Sequence, residues 1–156
     1  MSEPVIASDD PLADDVRLLI ARHLAFARSV TPPEDVHALD LEGLVEPGLS
    51  FFSYRVDGDL LAIGALKHLD DEHAEVKSMH TAAQARGRGI GRAMLDHLLA
   101  VARERGYRRV SLETGAMDAF APARALYASA GFEPSGPFGD YGPSPNSAYM
   151  TLVLRA

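Results

Sequence analysis

The sequence predicts a mixed α/β (α+β) fold whose sheet is mostly antiparallel with one parallel step. Three observations predict it. Three strand patterns joined by tight polar turns fill residues 49–81. A strongly amphipathic helix pattern over 90–105 separates the third strand from a fourth. A glycine-rich turn joins that third strand to the helix. Strands linked by hairpins run antiparallel, whereas a strand–helix–strand crossover makes neighbours parallel and right-handed.

The elements follow in order. Asp10-Pro11 predicts a helix start, with Asp as N-cap and Pro at the first helical position. Leu12, Val16, Leu19, Ile20 and Leu24 then fall on one face. Thr31-Pro32-Pro33-Glu34 is a capping-box pattern and predicts a second, shorter helix. From Leu49 the period changes, and Phe52, Tyr54 and Val56 alternate with Phe51, Ser53 and Arg55 as in a strand. Asp57-Gly58 is a hairpin signal. Leu60 to Leu69 reads as an apolar strand, Asp70-Asp71-Glu72 as a polar turn and His73 to Thr81 as a third strand. Along Ile90 to Arg105, Ile90, Met94, Leu98 and Val101 share a face widened by Leu95, Leu99 and Ala102, and Gly106 ends the helix. Arg109 to Thr114 is a strand, Ala121 to Ala130 a short helix ending at Gly131, and Phe132 opens a further strand. The Gly/Pro-rich stretch from Pro134 to Pro145 reads as loop, and Ala148 to Leu154 as the closing strand.

Composition bounds the function classes. The 156 residues fit one domain spanning 1–156 with a sizeable core, and 47% apolar with 24% charged is a globular balance. No apolar run nears the ~18 residues of a membrane span. The start Met1-Ser2-Glu3-Pro4 lacks the basic and apolar pattern of a secretory signal, so a cytoplasmic protein with no membrane partner is expected. The absence of cysteine excludes disulfides and thiolate nucleophiles. None of the six histidines stands in a tight ligand pattern, so no metal is expected. Fifteen basic against 22 acidic residues give a net charge of −7, which argues against a general nucleic-acid surface.

The informative segment is Arg86-Gly87-Arg88-Gly89-Ile90-Gly91-Arg92. Its glycines allow left-handed backbone and close approach of an anion. The helix that begins there offers unpaired N–H groups and a positive dipole end. Three arginines in seven residues add bidentate phosphate partners. The segment suits a pyrophosphate-like group. A P-loop would need Gly-Lys-Ser/Thr, which is absent. The dinucleotide fingerprint would need glycine where Arg92 stands, and an antiparallel meander ahead of the turn does not suit a doubly wound fold. Dinucleotide binding and a turn without function stand as the other two readings.

Arg86-Gly87-Arg88-Gly89-Ile90-Gly91 resembles the acetyl-CoA signature Gln/Arg-x-x-Gly-x-Gly/Ala of the GNAT superfamily of N-acetyltransferases. A second motif, Ala123-Arg124-Ala125-Leu126-Tyr127 followed by Gly131-Phe132, and the order of elements from about Leu49 onward are similar too. The segments Glu75-Val76-Lys77-Ser78-Met79, Leu112-Glu113-Thr114-Gly115 and Phe138-Gly139-Asp140-Tyr141 look like one bacterial subgroup whose substrates are poorly defined.

The resemblance implies the acyl-CoA N-acyltransferase fold, with a splayed parallel strand pair flanked by helices. It implies acetyl-CoA as cosubstrate and an amine acceptor, on a small molecule or on a peptide or protein. Dimers are common in the family. Residue by residue, it implies that Arg86, Gly87, Arg88, Gly89, Ile90 and Gly91 hold the pyrophosphate, with Arg92 alongside. Met79, His80 and Thr81 would pair with the pantetheine arm at a bulged strand end, and Tyr127 would be the general acid. Glu75, eleven residues before Arg86, has the spacing of the family's catalytic base, with Glu113 as rival base or as the carboxylate that holds a cationic amine. His68, Asp140 and Tyr141 are candidates for acceptor contact. The family often has Asn where Phe120 stands, so the resemblance implies one hydrogen bond to the cofactor that is lost here or supplied elsewhere. A rival reading is a non-catalytic acyl-CoA sensor, which would need the turn but neither Tyr127 nor a carboxylate in the cleft.

Overall fold

The computed structural model describes residues 3–32, 41–139 and 141–154. Among the described residues, seven strands, numbered β1 to β7 along the chain, form one sheet in the order β1-β2-β3-β4-β5-β7-β6. The predicted meander is present as β2 (Leu49–Val56), β3 (Asp59–Asp70) and β4 (His73–Thr81), which pair antiparallel. Asp57 (φ 53°) and Gly58 (φ 84°) turn the first hairpin in the left-handed region that a two-residue turn of this kind requires. α3 (Ile90–Glu104) carries the chain across to β5 (Arg109–Gly115), which lies parallel to β4. α4 (Ala121–Ser129) and β7 (Ser147–Val153) follow, and β7 closes antiparallel on β5.

Three readings are corrected, and a fourth lies mostly outside the described residues. A strand that the pattern did not show, β1 (Val5–Ser8), pairs with β2 at the sheet edge. The first helix, α1, spans Asp14–Val30 and does not start at Asp10-Pro11. Asp10 instead accepts the N–H of Leu12 on its side chain and that of Ala13 on its carbonyl, forming a turn, and Leu12 is exposed. The start of α1 is fixed from outside, because Arg55 on β2 pairs with Asp9 at 2.8 Å and with Asp15 at 2.6 Å. Pro134 and Ser135 are not loop, since β6 (Glu133–Ser135) pairs with β7. The helix predicted from Thr31 falls mostly outside the described residues, and a four-residue helix, α2, occupies Leu41–Leu44.

Strand alternation sorts the core into two layers. Leu66, Ala74, Val76, Val110, Leu112 and Met150 pack with α3 and α4. Ile63 and Ala65 face the other side, against Val16, Leu19 and Ile20 of α1. Between Ile63↔His80 and Ala65↔Lys77 the β3–β4 register shifts by one residue. Ser78 and Met79 therefore stand opposite Gly64 alone, which is a β-bulge, and Ser78 takes φ 57°. Gly64 leaves room for it: a Cβ there would lie 2.9 Å from Met94 Cγ and 3.1 Å from both Leu98 Cδ1 and Met79 Sδ.

Gly64→Ala is thus expected to cost about 1–3 kcal/mol by overpacking, read as a lower midpoint in urea unfolding. Adding Met79→Ala should recover part of that loss, because it removes one of the three crowding atoms.

Candidate active site

The parallel pairing of β4 and β5 is short. It runs His73↔Arg109, Ala74↔Val110 and Glu75↔Ser111 and then stops. Beyond it β4 continues to Thr81 and β5 to Gly115 without pairing, so the two strands part. A cleft of about 520 Å³ opens there. Its walls come from α1, the bulged end of β4, the glycine-rich turn, the end of β5 and α4.

The turn has Gly87 at φ 78° and Gly89 at φ 77°, and Gly89 caps α3. Ala93 is the first residue of α3 to donate to a carbonyl, that of Gly89, at 3.1 Å. Among the described residues, the N–H groups from Gly87 to Arg92 have no backbone acceptor. A row of free donors at a helix start suits an anion. Arg86 and Arg92 line the cleft, whereas Arg88 turns back to the carbonyl of Gln84 at 3.0 Å. Arg92 is held by Asp96 at 2.9 Å and by Ser129 Oγ at 3.0 Å.

The carboxylates and the phenols converge in the same region. Glu75, Glu113 and Tyr127 all line the cleft. Glu75 is only 2% exposed. Its Oε2 accepts from Lys77 Nζ at 3.2 Å and from Tyr141 Oη at 2.6 Å, while Lys77 Nζ also donates to Tyr141 Oη at 2.7 Å. Burial, then the charge and hydrogen bond of Glu75, push the Tyr141 phenol far above its ordinary value of 10. Burial, then the Glu113 charge, push the Tyr127 phenol up as well. Both phenols therefore keep their protons at neutral pH, and Tyr141 donates its own to Glu75.

Not every expected residue joins the group. His68 is exposed at the other end of the sheet, where its Nδ1 meets Tyr107 Oη at 2.6 Å. It shares the α3-facing side of β3 with Gly64 and Leu66, and so turns away from Glu75. Asp140 lies outside the described residues. Phe120, in the place of the usual Asn, packs edge-on to Phe26 at 5.3 Å and covers Gly115, where a Cβ would come within 2.1 Å of its ring.

His23 was missed. Its ring lies tilted against that of His80, with centroids 4.9 Å apart, its Nδ1 is buried without a hydrogen-bond partner, and both rings line the cleft. Burial lowers both imidazoles to about 4, helped at His80 by His23 and Arg86. The signal was present, because His23 falls on the buried stripe of Val16, Leu19, Ile20 and Ala27. Ser78 gave no sequence signal, since nothing local demands its left-handed backbone. No group of three or more metal-ligating side chains occurs among the described residues.

Comparison with known proteins agrees with this geometry. The family model for GNAT-family acetyltransferases matches residues 17–132. The chain belongs to the GNAT family. A Bacillus subtilis relative named as an uncharacterized N-acetyltransferase, YsnE, is 45% identical over 96% of this chain and 99% of its own. An Azospirillum brasilense relative named IAA acetyltransferase is 38% identical over 99% of this chain and 100% of its own. A solved Klebsiella pneumoniae structure, named as an acyl-CoA N-acyltransferase, is 26% identical with a TM-score of 0.80, over 97% of this chain and 98% of that one. This GNAT chain thus has the acyl-CoA N-acyltransferase fold, with the splayed β4–β5 pair at its centre.

The histidine pair sets a pH dependence. Unfolded, each imidazole takes up a proton near 6.5; folded, each resists protonation down to about 4. The pair's contribution to folding stability is therefore complete above pH 6.5 and is lost as pH falls from 6.5 toward 4. His23→Phe keeps a ring against His80 and removes one titration. Urea unfolding between pH 7 and 4.5 should show proton uptake on unfolding reduced by about one near pH 5.

Proposed function

We propose that the protein moves an acetyl group from acetyl-CoA to a primary amine by direct transfer, with both substrates bound at once. One observation carries the reading: a single cleft joins a run of unpartnered backbone N–H groups to two carboxylates and to a phenol that keeps its proton. Arg86 to Gly91 hold the pyrophosphate, with Arg92 alongside. Met79, His80 and Thr81 offer an open strand edge to the pantetheine arm, because β5 has left that side of β4. Acetyl-CoA supplies the acyl group as a thioester.

The chain's own groups manage protons. An amine is mostly protonated at neutral pH, so a proton must leave before it can attack. Glu75 accepts that proton, and Lys77 and Tyr141 hold its carboxylate in one orientation. Glu113, on the parting strand, holds the amine while it is still cationic. Tyr127 carries a proton at Oη that a leaving thiolate can take. No protein nucleophile is needed, and none of cysteine type exists. A relative named for acetylation of IAA supports a small-molecule acceptor.

The test is incubation with acetyl-CoA and a broad amine library, reading both free thiol and acetylated mass. Tyr127→Phe and Glu75→Gln should each lower kcat about a hundredfold while the thermal shift given by acetyl-CoA is kept. Tight CoA binding with no turnover on any amine would overturn the reading in favour of a non-catalytic module.

A further inference from the structure

A second cleft, of about 720 Å³, opens beside the first, and the two share Glu75 and Lys77. The register shows how it is built. Lys67 stands opposite Glu75 across β3–β4, and His73 stands opposite Arg109 across β4–β5. Paired residues in a sheet share a face, and so do residues two apart along a strand. Lys67, His73, Glu75, Lys77 and Arg109 therefore project from the same side of the sheet. It is the side away from α3, roofed by Phe138 and Tyr141.

Among its described residues, this cleft is richer in cations than the chain as a whole. The chain carries a net −7, yet the described lining holds three cations, Lys67, Lys77 and Arg109, against two acids, Asp70 and Glu75. Three of these groups are already engaged. Lys77 is bound to Glu75, and Asp70 accepts the N–H of Glu72 in the β3–β4 turn. The side chains of Lys67 and Arg109 make no ion pair with any described carboxylate. They rise from the two strands that flank β4, on the order of 10 Å apart at the backbone. Two long basic side chains at that spacing can close on one small anion between them. Arg109 already acts on this space, since its charge adds to burial in holding the His73 imidazole below its ordinary range.

We propose that Lys67 and Arg109 bind a carboxylate on the acceptor, so that the acceptor is an amino-acid-like amine. Its carbon body lies against Phe138 and Tyr141 and its amine reaches Glu75. This rests on the acetyl-transfer reading of the same site and adds the acceptor's chemical class. The anion anchor fixes the amine's distance from Glu75, because Lys67 is the direct cross-strand neighbour of Glu75. A free amine with no anion would meet Lys67 and Arg109 as repulsive neighbours.

The test needs no turnover. CoA-saturated protein is titrated calorimetrically with matched pairs, each an α-amino carboxylate and its primary amide, with aliphatic and aromatic side chains. The carboxylate of at least one pair should bind about tenfold tighter than its amide. Lys67→Glu and Arg109→Glu should each erase that preference, while the thermal shift given by acetyl-CoA is kept. Lys67→Gln and Arg109→Gln should weaken it less than charge reversal does. Equal binding of both members of every pair, or a preference that survives both reversals, overturns the proposal. No binding by any carboxylate overturns it as well. Failure of acetyl transfer is read separately, as absence of thiol release from acetyl-CoA, and leaves the carboxylate preference standing on its own.

Discussion

The parting of β4 and β5 after the Glu75–Ser111 pair is the constraint on which the rest of the site depends. Had the two strands stayed paired to their ends, the N–H and C=O groups of Met79 to Thr81 would have faced β5 and no cleft would exist. The bulge at Ser78 bends β4 at this point. It leaves a non-glycine residue at φ 57° and a buried hydroxyl without a partner. Such features cost on the order of 1–3 kcal/mol each and persist only where surrounding structure forces them. The forcing comes from the layer under α3, where Met94, Leu95 and Leu98 are fully buried against β3 and β4. The stable half of the molecule thus holds open the half that has unmet hydrogen bonds.

The same bulge decides which residues face which side. Ahead of it, odd-numbered residues of β4 such as Glu75 and Lys77 lie on the side away from α3. One extra residue flips the alternation. Met79 therefore packs toward α3, and His80 turns to meet His23 on α1. Without the flip, His80 would have pointed into an apolar layer. The polar face that runs from Lys67 through Glu75 to His80 is continuous only because of it.

Much of this was legible in the sequence, and the misses have non-local causes. The meander, the crossover helix and the glycine-rich turn were readable because each rests on periodicity or on glycine chemistry within a few residues. β1 was not, since four residues with a weak pattern hold their place only by pairing with β2. The start of α1 was misplaced because Asp10 spends its side chain on a turn, while Arg55, over forty residues away, fixes Asp9 and Asp15. The candidate residues Glu75, Glu113 and Tyr127 line one cleft. The partnership of Glu75 with Tyr141 could not be read, because 66 residues separate them and the loop that carries Tyr141 has no periodicity.

A buried carboxylate of this kind is hard to explain by stability. Removing Glu75 and Lys77 from water is costly, and their attraction in a low-dielectric interior roughly offsets that cost at best. Apolar residues of similar volume would fill the space at least as well, as Val76 and Leu112 do on the opposite face. The Tyr141 hydroxyl, protonated and locked on to Glu75, adds order rather than net stability. The charge is kept at the point where the strands part and two clefts meet. A group that stability does not require, at one of the two positions both clefts share, fits the proton transfer proposed for it.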